Sequence, residues 1–213
     1  MTNISKRLKS IVSFVEKNDS LVDVGCDHGL LSIYLVENNL VKRVVASDIN
    51  KNALNSAIDN ISVRDLNIET VLSDGIKSVN LDGIDTLVIS GMGTSTIMHI
   101  LDDTSLLENI EKIITQSNNN HYELRKYMND IGYYLNDELY VYDKDKWYVT
   151  SCFIKGNQKN DEATLKYGYL NNEDYNKYIV QKYEEIIKRI PESSNDRKQL
   201  EKELEEIKKA ILQ

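Results

Sequence analysis

Apolar residues along this chain follow two spacings in turn. Short β-branched runs at Leu21–Val24, Arg43–Ser47, Ile68–Leu72, Ile84–Ser90 and Lys112–Gln116 read as strands. Helical spacing fills the intervals at Leu30–Glu37, Lys51–Val63 and Thr94–Leu101, and recurs at Tyr122–Asp130 after the fifth strand. An amphipathic helix at Ser5–Val15 precedes them, with Leu8, Ile11, Val12 and Val15 on one face and Ser5 as its cap. This alternation predicts an α/β fold with a parallel sheet and right-handed crossovers. Two more strand-like runs, Tyr133–Tyr142 and Trp147–Ile154, are separated only by Asp143-Lys144-Asp145-Lys146, which is hairpin spacing. The sheet is therefore expected to be mostly parallel and to close with an antiparallel hairpin.

From Thr164 onward strand and turn signals nearly vanish. Tyr175, Ile179, Lys182 or Tyr183, Ile186 and Ile190 form one helical stripe; Leu200, Leu204, Ile207 and Ile211 form a second at coiled-coil spacing. Pro191 and Ser193-Ser194-Asn195 separate them, with Ser194 or Asn195 as the next cap. The expected organisation is an α/β domain over residues 1–160 and an α-helical, coiled-coil hairpin over 161–213. Packing accounts for the apolar stripes, and the hairpin is also suited to gripping a large partner.

Composition narrows the class. The chain has 213 residues, two cysteines and one proline, and a net charge of −8. Cys26 and Cys152 are too few for a disulfide scaffold or a cysteine zinc site, and no set of three ligands points to a metal. No apolar run approaches the roughly 18 residues of a membrane span, and Met1–Arg7 lacks the apolar core of a secretion signal. A cytoplasmic protein with reduced thiols, no membrane and no obligate protein partner is expected. Residues 164–213 carry ten charges of each sign, so the whole acidic excess, 24 against 16, lies before them. The first seventeen residues run the other way, with Lys6, Arg7, Lys9 and Lys17 against Glu16. That basic helix is a candidate phosphate contact as well as a solvated face.

The chemistry concentrates at the strand ends. Val22-Asp23-Val24-Gly25-Cys26-Asp27-His28-Gly29 reads as a strand running through a glycine turn into a helix, the element against which nucleotide-type cofactors dock. The second strand ends in Asp48 with Ile49, where an acid can accept hydrogen bonds from two ribose hydroxyls. The third ends in Asp74-Gly75, an acid for an adenine amino group beside a residue that leaves room for the ring. Asp27 stands where a dinucleotide fingerprint has its second glycine, which disfavours a pyrophosphate. A cofactor with a cationic centre and no phosphate fits better, and S-adenosylmethionine is such a molecule, its ammonium group within reach of Asp27 or Asp23. The fourth strand closes with Gly91-Met92-Gly93, where the backbone can approach a flat ring or a transferring methyl. Gln116 and Asn118 close the fifth in an amide-rich loop suited to reading a base edge. The Asn/Asp-Pro-Pro-aromatic motif of enzymes that methylate exocyclic amines is absent; a ring nitrogen already has an in-plane lone pair and needs alignment more than proton chemistry. His28 reads as either a cofactor contact or a turn cap, and His99 and His121 as helix-surface residues.

Ser5-Lys6-Arg7-Leu8, Asp23-x-Gly25-x-Asp27-His28, Gly91-Met92-Gly93 and Gln116-x-Asn118 together resemble the bacterial tRNA (adenine-22, N1)-methyltransferases, the TrmK family. The resemblance spans residues 3–155 and implies a class I, Rossmann-like, S-adenosylmethionine-dependent enzyme that methylates N1 of adenine 22 in tRNA. It implies that Gly25, Asp27 and His28 line the methionine end of the cofactor. Asp48 would bind the ribose, Asp74 and Gly75 the adenine, Gly91 and Met92 the methyl-transfer region, and Gln116 and Asn118 the target base, with Ile49 a further cofactor-binding residue. The chain departs from the family's usual residues at Asp48 (Glu), Thr94 (Gly) and Ser117 (Pro). Alternative readings are a methyltransferase of a small molecule or protein, and a non-catalytic RNA-binding protein.

Overall fold

The computed structural model describes residues 2–212 and divides into two compact units, Met1–Asn160 and Asp161–Gln213. The first carries α1 (Lys6–Val12), β1 (Ser20–Val24), α2 (Leu30–Glu37), β2 (Arg43–Asp48), α3 (Lys51–Ser62), β3 (Glu69–Leu72) and β4 (Thr86–Met92). It continues with α4 (Thr94–Ile100), β5 (Lys112–Ser117), α5 (His121–Asp130), β6 (Tyr133–Asp143) and β7 (Lys146–Lys155). The seven strands lie in the order β3-β2-β1-β4-β5-β7-β6. Every pairing among β1 to β5 is parallel, and β7 lies antiparallel to both β5 and β6. This is the expected mostly parallel sheet with a closing hairpin.

Sequence alternation explains the layering. Leu87 and Ile89 face one core cluster and Val88 the other; Val22 and Val24 likewise oppose Leu21, and Ile113 opposes Ile114. Successive side chains of a strand point to opposite faces, so central strands covered by helices on both sides are apolar throughout. Asp23 is the exception on β1, a carboxylate 3% exposed on the Leu21 face, bonded by the Ser32 hydroxyl of α2 at 2.7 Å.

Several boundaries differ from expectation. Helix α1 ends at Val12 because the backbone tightens there, Phe14 and Val15 each bonding back three residues to Ile11 and Val12. Ser5 caps it, accepting from the Leu8 N–H. Strand β4 starts at Thr86 and runs on through Met92, with a bulge at Gly91 where Ser90 pairs with Gln116 and Met92 with Ser117. A 3-10 turn at Thr104–Leu107 leaves no signal in the periodicity.

The second unit holds α6 (Glu162–Tyr167), α7 (Glu173–Lys188) and α8 (Asn195–Ile211). Ser194 caps α8, accepting from the Asp196 N–H. Leu204 and Ile207 are buried as the second stripe requires, but on α7 Ile187 is buried while Ile186 is 38% exposed, so the first stripe turns by one residue at its end. Tyr183 donates to Glu203 and Lys208 pairs with Glu184, tying α7 to α8. No described helix is long and apolar enough to cross a membrane.

Candidate active site

Strand order reverses between β1 and β4, and in open α/β sheets ligands bind beyond the carboxyl ends of the strands at that switch point. Here the two ends carry Gly25 and the Gly91–Met92 bulge. Gly25 sits at φ +72°, and a Cβ there would stand 2.2 Å from Met92 Cε, so the methionine occupies space that only glycine leaves open. Asp27 adopts φ +51°, a conformation that Asp tolerates better than most residues. Its backbone N–H is thereby aimed at Asp48 Oδ2, 3.0 Å away, while Asp48 Oδ1 accepts from the Asn50 N–H at 2.8 Å. The Asp48 carboxylate thus ties the first two βα turns together, and each oxygen retains a further lone pair for a ligand.

A cleft of about 390 Å³ opens over these ends, lined among others by Arg7, Asp23, Asp27, His28, Asp48 and Met92. A smaller cavity of about 120 Å³ adjoins it and is lined by Ile49, Asp74, Gly75 and His99, with Gly25, Asp48 and Met92 lining both. The two form one trough, charged at one end and more apolar at the other. Burial pushes the Asp23 carboxyl up to about 6, against the lowering effect of its Ser32 bonds, and the neighbouring Asp48 charge adds to the rise. Burial also pushes the Cys26 thiol up, with Asp23 and Asp48 adding to it, so this cysteine stays protonated and is no nucleophile. At the other end the Lys77 ammonium, 2.5 Å from Asp74, holds that carboxyl below its ordinary range.

The structure brings Gly25, Asp27, His28, Asp48, Ile49, Asp74, Gly75, Gly91 and Met92 around this trough, and it changes the reading of two residues. The sequence has Gly75 leaving room for a ring, yet a Cβ there would meet the Ile100 side chain at 3.0 Å; its missing side chain also admits α4. The sequence has Gln116 facing a base, yet it is 1% exposed and fully engaged. Its Nε2 donates to Thr150 Oγ1 at 2.6 Å and to the Arg7 carbonyl at 3.2 Å, and its Oε1 accepts from Arg7 Nη1 at 2.9 Å. Asn118, by contrast, is exposed at the edge, donating from Nδ2 to the Gly91 carbonyl at 2.8 Å while its backbone N–H donates to Met92 O.

Two lining residues escape sequence reasoning. Arg7 reads as part of a basic surface; the structure places its guanidinium in the cleft wall, 5.7 Å from the Tyr148 ring centroid. His99 reads as a surface residue and lines the smaller cavity. The Ser-Lys-Arg-Leu motif is a signal for Arg7, but no local pattern says where its side chain ends. The departures at Thr94 and Ser117 meet in space, their hydroxyl oxygens 2.8 Å apart and buried.

Comparison with known proteins bears on the family and the fold. A family profile described as a methyltransferase domain matches residues 4–150. The tRNA (adenine(22)-N(1))-methyltransferase of Bacillus subtilis is 28% identical over 148 residues, 68% of this chain and 62% of that protein, so the match spans somewhat less than two thirds of the relative. The crystal structure of Streptococcus pneumoniae Sp1610 superposes with a TM-score of 0.90 at 28% identity, covering 98% of this chain and 100% of that one. TrmK of M. capricolum, in complex with S-adenosyl-homocysteine, gives a TM-score of 0.85 at 27% identity, covering 98% and 97%. The profile takes in α1, all the βα turns that build the trough and most of the closing hairpin, and on that match the chain belongs to the methyltransferase-domain family.

Proposed function

We propose that this protein transfers a methyl group from S-adenosylmethionine to N1 of adenine 22 in tRNA. The observation that carries the reading is the single trough at the switch point, polar at one end and flanked by Ile49 and Asp74 at the other. Its shape and donor set fit the cofactor. An amino-acid head group needs an anion for its ammonium and a cation for its carboxylate, and the polar end is lined by Asp23 and Asp27 as well as by Arg7. Asp48 would hold the ribose hydroxyls, Asp74 the adenine amino group, and Ile49, 69% exposed, would flank the ring. M. capricolum TrmK binds the demethylated form of this cofactor, and the B. subtilis relative is named for adenine 22.

The cofactor supplies an electrophilic methyl on a sulfonium centre. Met92 and the Gly91 bulge frame the region where that methyl would meet the base, and Asn118, just past the end of β5, braces the bulge. N1 of adenine carries an in-plane lone pair, so the residues around it need only align it and exclude water; no general base is required. Because N1 lies on the Watson–Crick edge, the adenine must leave its pairing partner and stack to enter the cleft. Acting on tRNA, the enzyme works in the cytoplasm.

Incubation with S-adenosylmethionine and unmodified tRNA, followed by nucleoside mass spectrometry, is expected to yield 1-methyladenosine, and to yield none with a tRNA carrying guanine at position 22. Absence of 1-methyladenosine from the wild-type reaction overturns the reading.

A further inference from the structure

The tip of the β6–β7 hairpin is fastened to the wall of the cleft. Asp143 Oδ2 accepts the Arg7 backbone N–H at 3.1 Å, so the last residue of β6 caps the helix whose Arg7 side chain lines the cleft. That bond is the main reason the Asp143 carboxyl lies below its ordinary range, with the Ser5 hydroxyl and the Lys144 and Lys6 charges adding to it. On β7, Tyr148 carries the contact outward: its ring centroid is 5.7 Å from Arg7 Cζ and 5.2 Å from Lys146 Nζ. Lys146 therefore stands one aromatic ring away from the cleft wall.

The turn itself is unusual. Asp143 pairs with Lys146, leaving Lys144 and Asp145 as a two-residue connection, at φ +48° and +59°. Such turns are normally built from Asn and Gly, because residues with a larger side chain adopt left-handed backbone only at a cost. Asp145 tolerates that backbone, so the cost falls on Lys144, which the turn leaves exposed at the tip. Lys6, Lys9, Lys144 and Lys146 are all exposed. At the tip itself Lys6, Lys144 and Lys146, together with Arg7, outnumber Asp143 and Asp145 four to two, on a chain whose net charge is −8. Asp143 is moreover occupied by the helix it caps.

We propose that this tip is a phosphate clamp: Lys144 and Lys146, with Lys6 across from them, hold the RNA backbone flanking the base that enters the cleft. A local cationic patch beside the mouth of a site in an otherwise acidic protein selects a polyanion. Its continuity with Arg7 places the bound strand at the cleft. The clamp rests on the proposed tRNA methylation and deepens it.

The test is the double variant Lys144→Asn, Lys146→Gln, compared with wild type. Asn suits the left-handed turn, so the thermal midpoint is expected not to fall. The Kd for S-adenosylmethionine is expected to stay within about twofold, while KM for tRNA rises about tenfold. The slope of log affinity against log salt is expected to flatten by about 0.7 to 0.9 for each phosphate that the variant no longer neutralises. An unchanged tRNA KM and salt slope, with the wild type active on tRNA, overturns the clamp alone. A wild type that methylates no tRNA overturns the activity and the clamp together.

Discussion

Arg7 and Gln116 grip each other at two points: the Arg7 guanidinium donates to Gln116 Oε1 at 2.9 Å, and Gln116 Nε2 donates to the Arg7 carbonyl at 3.2 Å. The amide thus tethers the first turn of α1 and sets where its cation points. Gln116→Leu removes both bonds without adding charge, and is expected to weaken S-adenosyl-homocysteine binding about five- to tenfold, the effect of one or two missing hydrogen bonds. Arg7→Lys should cost at least as much, since an ammonium lacks the planar fork that meets a carboxylate. Calorimetric titration reads both, and wild-type affinity in Gln116→Leu excludes the positioning role.

Asp23 carries the pH dependence. Its folded value of about 6 lies above the ordinary 3.8, so the folded state holds the proton more tightly. The stability this confers is present below about pH 4 and is lost as pH rises through 6. Asp23→Asn removes that loss, and should unfold at higher denaturant than wild type at pH 8, by up to about 3 kcal/mol, with the difference fading near pH 4. Cofactor binding runs the opposite way. An ammonium group favours the ionised acid, so wild-type affinity should fall as pH drops from 7 to 5, and the Asn variant should be weaker with a flatter profile. A flat wild-type profile across that range counts against contact between Asp23 and the ammonium.

Gly25→Ala combines two faults, a left-handed backbone and a Cβ 2.2 Å from Met92 Cε. The thioether end can swing away, but the space beside it is the cleft. The variant is expected to lose about 1 to 3 kcal/mol of stability and at least about tenfold in cofactor affinity. Adding Met92→Ala relieves the clash and not the backbone, so affinity should recover in part while stability stays low. Full recovery of both in urea unfolding and calorimetry rejects the backbone half of the account.

The Thr94–Ser117 pair joins the start of α4 to the end of β5, and Thr94 Oγ1 lies a further 2.7 Å from the Asn119 carbonyl. Thr94→Val is expected to cost about 1 to 3 kcal/mol by leaving buried partners unsatisfied. A double-mutant cycle with Ser117→Ala should return a coupling of about 0.5 to 1.5 kcal/mol. Additive effects show instead that the two hydroxyls act separately.

Much of the fold is legible in the sequence because its signals are local. Alternating strand and helix periods name the elements, and the short 143–146 interval names the hairpin. Boundaries slip where backbone hydrogen bonding overrides side-chain pattern, as at Val12 and at the Gly91 bulge. On α7, periodicity alone does not choose between Ile186 and Ile187, because one turn of helix places both near the seam.

By itself, the sequence determined the α/β alternation, the glycine turn after β1, and the acids at the ends of β2 and β3. Each depends on residues that are neighbours along the chain, and strand-end position follows from topology rules alone. The tertiary structure alone decided which amide is buried against Arg7, which stays exposed, and which cation lines the cleft. Gln116 and Arg7 are 109 positions apart, and Arg7 and Asp143 are 136 apart. Such pairs are set by how β7 lies against β5 and where α1 packs across both, and no local period carries that register.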